Sequence, residues 1–199
     1  MMVVLKPVNW EVDGLTSEGG GGLLLSSFVQ SVLPRDQFPL VHTMELDFGF
    51  IHRLDVPSSG LVLGGTSLEG LFQLKWQLAV YSIQRQYVTV NHGHLGVSQV
   101  SVDFRIDATG AESLRSVISD AGRPACTSLS LVAHLGLGGF NVHVGGAAPA
   151  GGRHCTDLSL LAISIHTGRR HQIRAHTRHV GHPVATDARY TPRDVTIAK

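Results

Sequence analysis

The chain has only two cysteines in 199 residues, Cys126 and Cys155, and neither belongs to a CxxC pair. This excludes a disulfide framework and a cysteine zinc site, and fits an intracellular, reducing compartment, cytoplasmic or organellar. Long apolar runs are also missing, so no stretch reads as a membrane span. The opening MMVVLKP lacks a basic region ahead of a long apolar core, so the first strand is expected almost at once. No sign of charge dominates. The net charge is +1 and charged residues make up 16%, which by itself names no polyanion partner. Hydrophobic residues reach 43%, which excludes a disordered chain, and the length suits one domain with a real core.

The distribution of charge says more than its sum. From Arg169 to Arg193 there are six Arg and four His against one acidic residue, Asp187. Such a patch suits phosphate.

The chain is organised around HRLDVPSSG, His52–Gly60. FGFI (48–51) precedes it and GLVLGGT (60–66) spans its end, so a polar tetrad lies between two apolar runs. That pattern predicts a loop connecting or ending buried strands, and loops on rigid strands are common holders of catalytic groups. The plainer alternative is a structural turn in which Arg53 and Asp55 form an ion pair.

In chain order, Val3–Leu5 reads as a strand stopped at Lys6-Pro7. Asp13–Gly22 reads as a flexible loop; its glycine run lacks the GK[ST] of a phosphate-binding loop. Leu24, Phe28 and Val32 repeat at helical spacing within a predicted helix, Leu23–Leu33, ended by Pro34. Residues 35–49 read as loop. Ser67 caps a predicted helix running to about Ile83, with Leu71, Leu74, Leu78 and Tyr81 on one face. Strands are predicted at Gln86–Asn91, Val100–Ile106, Thr127–His134 and Leu158–His166, with 107–125 irregular and a glycine-rich loop at 136–152. A last helix runs from about Arg170 to Val180, capped by Thr167 or Gly168 and closed by Gly181. Ile173, Thr177 and Val180 form its packing stripe; His171, Arg174 and Arg178 form a polar one that directs Arg174 into a cleft.

His171, His176, His179 and His182 invite a metal reading, but His171 to His176 is five residues, not four, and no carboxylate or cysteine completes a set. No metal site is expected.

Several of these pieces resemble one family. HRLDVPSSG resembles the HRLD-x-x-TSG motif of RluA-type RNA pseudouridine synthases, with Ser59 where that motif has Thr. RQYVTVNHG is similar to the family's R-x-Y-x-A-x-x-x-G strand, with Thr89 at the Ala position. TGRRHQIRAHTRHVGHPVATDARY resembles TGR-x-HQIR-x-H with its following GHP and D-x-x-Y; Ala185-Thr186 replaces the usual small-Gly step. VVLKPVNWEVDG and GRPACTSL resemble the opening V-x-x-KP strand and the G-K-P-A-x-T piece, although Asn9-Trp10 departs from the usual opening loop. The motifs keep the family order over residues 3 to 190.

The resemblance implies an α+β fold, a mixed α/β domain with a central, mainly antiparallel sheet and a cleft. It implies one catalytic domain over residues 1–199, C-terminally short against the family and without a separate S4-type RNA-binding module. It implies an isomerase that converts uridine in rRNA or tRNA to pseudouridine without a cofactor. Asp55 takes the place of the catalytic aspartate, Arg174 that of its ion partner, and Tyr87 stacks on the base and stands near C5. The uridine is flipped out of the RNA to reach Asp55. Arg53, Arg169, Arg170, His171 and Arg178, together with Lys6, are the candidates to hold the RNA. RNA is the expected partner, and no membrane is. The alternative is a non-catalytic RNA-binding paralogue that keeps the pocket without turnover.

Overall fold

The opening residues alternate between inward and outward positions, and in the computed structural model they form strand β1, Met2–Lys6. Residues 1–14, 22–109, 115–135 and 158–191, and the backbone of 142–143, are described. They fall into two units, Met1–Ile83 and Gln84–Lys199. No helix among the described residues is long and apolar enough to cross a membrane.

In the first unit, β1 is followed by helix α1 (Leu25–Val32), strand β2 (Gly60–Gly64) and helix α2 (Leu68–Ala79). β1 and β2 pair antiparallel, with Val4 opposite Val62. Val62 joins Val12, Leu25, Val29, Val41 and Phe50 in the buried core. The expected 24/28/32 stripe of α1 is not its buried face: Leu25, Ser26 and Val29 are buried, whereas Phe28 and Val32 are exposed. The first turn explains this. Leu25 and Ser26 donate backbone hydrogen bonds to Glu11 and Val12, which fixes the rotation of the helix and aims Leu25 and Val29 inward.

FGFI is not a strand. Residues Pro39–His42 and Met44–Gly49 form two 3₁₀ segments, and only Phe50 makes a single bridge, to Gly64. Gly49, at φ 83°, faces the Gly65 carbonyl so closely that a Cβ would collide. In α2 the Ser67 hydroxyl accepts from the Gly70 N–H at 3.2 Å, the expected cap. The helix stops at Ala79, before Ile83, because Tyr81 turns left-handed (φ 58°). Ser82 N–H then reaches the Gln77 carbonyl and Tyr81 N–H reaches Leu78, a Schellman closure. Tyr81 is consequently exposed, while Leu71 and Leu74 are buried.

The second unit contains strands β3 (Arg85–His92), β4 (Gln99–Asp103), β5 (Ile106–Asp107), β6 (Val117–Ile118), β7 (Cys126–Leu135), β8 (Val142–His143) and β9 (Leu158–Ile165), then helix α3 (Gln172–His179). The sheet order is β3-β9-β7-β4, with β8 also paired to β7, and every pairing is antiparallel. The fold is thus mixed helix and strand around an antiparallel sheet. Its core gathers Leu95, Val102, Leu129, Leu161 and Ile163, with Ile173 of α3 and Val180 at its C-terminal cap packed against it as the stripe predicted. The expected strand Val100–Ile106 is split. Ile106 leaves β7 and bonds to Ile118 and Arg123, so 107–125 holds a small two-stranded sheet. A bulge between Leu131 and Ala133 adds one residue to β7 and sets His134 opposite Ser159. Most of the glycine-rich stretches 13–22 and 136–152 lies outside the described residues.

Candidate active site

Each residue of the HRLD tetrad has a distinct anchor in the first unit. The His52 Nε2 accepts from the Leu63 N–H of β2 at 3.2 Å. Leu54 packs on the buried core. The Arg53 guanidinium pairs with Asp13 of the opening loop at 3.4 Å, so the ion pair of this turn joins two segments and is not Arg53 with Asp55. Asp55 itself is half-buried, and its carbonyl accepts from Ser58 N–H at 3.0 Å to close the turn.

Lys6 corrects one expectation. It does not stand ready for phosphate, because it is 0% exposed. Its ammonium donates to the carbonyls of Trp10 (2.8 Å), Pro7 (3.0 Å) and Val56 (3.3 Å). Burial pulls the Lys6 pKa down, and the nearby Asp55 charge opposes this in part. Asn9, left-handed at φ 65°, adds a backbone hydrogen bond to the same Val56 carbonyl at 2.8 Å. The residue after Asp55 is therefore fastened to the opening loop by a side chain and by backbone. The departure Asn9-Trp10 supplies two of these groups.

In the second unit, Tyr87 lies on β3 opposite Ile163 and packs, half-buried, on the sheet core. Arg174, on α3, forks onto Asp187, with Nε to Oδ2 at 2.7 Å and Nη2 to Oδ1 at 2.8 Å. The Arg174 Cζ lies 4.7 Å from the centre of the Tyr190 ring. Burial pushes the Asp187 carboxyl up, but the hydrogen bonds and charge of Arg174, with the N–H groups of Arg189 and Tyr190, hold it below the ordinary carboxylate range. The Tyr190 hydroxyl accepts from Ser116 N–H at 2.6 Å and meets Ser116 O at 3.1 Å and His171 Nδ1 at 3.0 Å. His171 is 5% exposed, so its imidazole sits in this network. Arg170 and Arg178 are exposed and Arg169 is half-exposed, its Nε donating to the Pro124 carbonyl at 3.0 Å.

The other polar residues of HQIRAH bolt the helix to the sheet. His171, at φ 52° and without a side-chain cap, occupies the cap position of α3 expected for Thr167 or Gly168. Thr167 instead accepts from Cys126 N–H and donates to Gln172 Oε1. Gln172 Nε2 donates to the Cys126 carbonyl (3.0 Å) and to Thr127 Oγ1 (2.9 Å). His176 Nε2 meets the Phe104 carbonyl at 3.0 Å and Nδ1 meets Thr127 Oγ1 at 2.8 Å. A carbonyl only accepts, so Nε2 carries the proton, and the Thr127 hydroxyl donates to Nδ1. Gly181 (φ 86°) closes α3 as expected, with His182 N–H on Thr177 O.

Sequence reasoning matched D-x-x-Y as a pattern but gave Asp187 and Tyr190 no role. The available signal was charge: Asp187 is the one acid among six arginines. Among the described residues, no three His, Cys, Asp or Glu side chains are placed to share a metal ion.

The chain as a whole has relatives among known proteins. The pattern that defines the RNA pseudouridylate synthase family matches residues 1–179. The ribosomal large subunit pseudouridine synthase C of Haemophilus influenzae is 29% identical over 98% of this chain and 51% of its own length. The synthase D of Xylella fastidiosa is 30% identical over 96% of this chain and 49% of its own length. The chain thus spans about half the length of these curated relatives. The fold matches that of human RNA pseudouridylate synthase domain containing 4, with a TM-score of 0.63 at 16% identity over 99% of this chain and 69% of that one. Human RNA pseudouridylate synthase domain containing 1 matches with a TM-score of 0.59 at 20% identity, over 82% and 64%. The chain belongs to the RNA pseudouridylate synthase family.

Proposed function

We propose that this chain isomerises uridine to pseudouridine in RNA, with Asp55 as its catalytic carboxylate. The observation that carries this reading is the anchoring of the Asp55 turn by Lys6, by Asn9 and by the Arg53–Asp13 pair. A carboxylate on so constrained a loop suits a group that must meet a reacting atom in a fixed geometry. The relatives named for the large ribosomal subunit make its RNA the first substrate to test.

The net reaction breaks the N1–C1′ bond, forms a C5–C1′ bond, releases the C5 proton and returns a proton to N1. Nothing is oxidised or reduced, so the reading requires no cofactor. Asp55 acts at the ribose, either by adding to C1′ or by taking a proton on a glycal route. Tyr87 offers a flat face to the base and a hydroxyl at C5. Arg174 is assigned as the ion partner of the reacting carboxylate, as the family resemblance implies. The target uridine is flipped out of its stack. Arg53, Arg169, Arg170 and Arg178 hold flanking phosphates; His171 is assigned to the Tyr190 network instead.

Release of tritium from RNA labelled at uridine C5 tests the reading, because that hydrogen leaves only when C5 becomes the glycosidic carbon. Release that depends on the chain supports it. RNA binding without release favours the non-catalytic paralogue.

A further inference from the structure

We propose that Asp187 and Tyr190 are positioning residues for Arg174. The inference rests on the functional reading above and assigns a task to the D-x-x-Y turn. Arg174 is a long side chain with many rotamers, and an unrestrained guanidinium is a poor partner for one reacting geometry. Here two constraints meet it from one turn. The Asp187 carboxylate takes Nε and Nη2 in a planar fork at 2.7 and 2.8 Å. The Tyr190 ring covers the guanidinium face at 4.7 Å. A fork through Nε and Nη2 fixes the guanidinium plane and directs its Nη1 side away from Asp187.

The turn is itself held. Asp187 Oδ1 also accepts from Arg189 N–H at 3.1 Å, and the Asp187 carbonyl accepts from the N–H groups of Tyr190 and Thr191. The Tyr190 hydroxyl is pinned by Ser116 and His171. His171 stands three residues before Arg174, so the start of α3 and the ring over Arg174 are locked together. Arg174 and Asp187 side chains are 13% and 8% exposed, which shields the fork from water. Were Asp187 only a charge neutraliser, its loss would strengthen RNA binding and leave turnover intact. Positioning makes the opposite demand.

The test is a double-mutant cycle of wild type, Asp187→Asn, Arg174→Lys and the double variant, reading kcat and KM for pseudouridine formation in large-subunit RNA. The Asn is isosteric, retention of the fold is checked by circular dichroism, and slow exchange of the Arg174 Nε–H in labelled protein reports the fork without reference to activity. The expected result is a loss of the Nε–H protection and a fall in kcat of about tenfold to a hundredfold in Asp187→Asn, with KM changed by less than about threefold. In the Arg174→Lys background, which has no fork to position, the same change lowers kcat by less than about threefold. An unchanged kcat in Asp187→Asn, or a loss that repeats in full on Arg174→Lys, overturns the proposal. A wild type with a protected Nε–H but no pseudouridine on any RNA overturns the functional reading and leaves the fork a structural pair.

Discussion

The Lys6 ammonium lies 3.3 Å from the carbonyl of Val56, the residue that follows Asp55. Together with its bonds to Pro7 and Trp10, this ties the opening strand to the turn bearing the candidate catalytic carboxylate. Replacing Lys6 by Met keeps the buried stem and leaves those carbonyls without their cation. Unfolding by urea is expected to show a loss of about 2–4 kcal/mol. Arginine does not restore it, because a planar fork cannot serve carbonyls placed for a tetrahedral ammonium.

Thr127 is the hub between Gln172 and His176, donating to one and accepting from the other. Thr127→Val is nearly isosteric and strands the buried His176 Nδ1. Chemical denaturation is expected to show a loss of about 1–3 kcal/mol.

Stability is expected to fall on mild acidification. His176 and His92 both have pKa values lowered from the ordinary 6.5, in each case chiefly by burial. The folded state therefore prefers them neutral, and the unfolded chain binds protons first as pH falls. Their contribution is complete above about pH 6.5 and is lost progressively as pH falls toward the folded values. Among the described residues, neither ring nitrogen of His92 has a hydrogen-bond partner. His92→Leu is thus expected to raise stability by about 1 kcal/mol and to flatten the pH dependence, as thermal unfolding across this range will show.

Arg170 and Arg178 are exposed, whereas His171 is buried against Tyr190. Neutralising either arginine is expected to weaken RNA binding and reduce the slope of log affinity against log salt by about 0.7–0.9, the share of one phosphate contact. His171→Ala is expected to lower thermal stability and leave the salt slope unchanged. Filter binding over a salt series separates the two behaviours.

Much of this was legible in the sequence where local chemistry decides the outcome. Ser67 caps its helix and Gly181 closes another because hydroxyl acceptors and left-handed glycines act over a few residues. Tyr87, Thr89 and Asn91 alternate along one side of β3 as strand periodicity requires, while Val88, on the other side, is exposed. The failures are long-range. The face of α1 is set by backbone bonds to Glu11 and Val12, which no periodicity reveals. The apolar run FGFI suggests the end of a buried strand, but Asp47 and Phe48 adopt left-handed φ values of 53° and only Phe50 bridges to β2. Lys6 looked like a surface cation until its acceptor at Val56 came from fifty positions away. Asp187 sits 13 residues from the arginine it holds, and motif matching alone names the pair without joining it.

The most direct test of the central claim counts pseudouridine. The purified chain and its Asp55→Asn variant are each incubated with large-subunit RNA, which is then digested to nucleosides and resolved by chromatography. Pseudouridine is expected from the wild type and none from Asp55→Asn, with both proteins folded and binding RNA alike. Equal pseudouridine from the two would remove Asp55 from the chemistry and contradict the account.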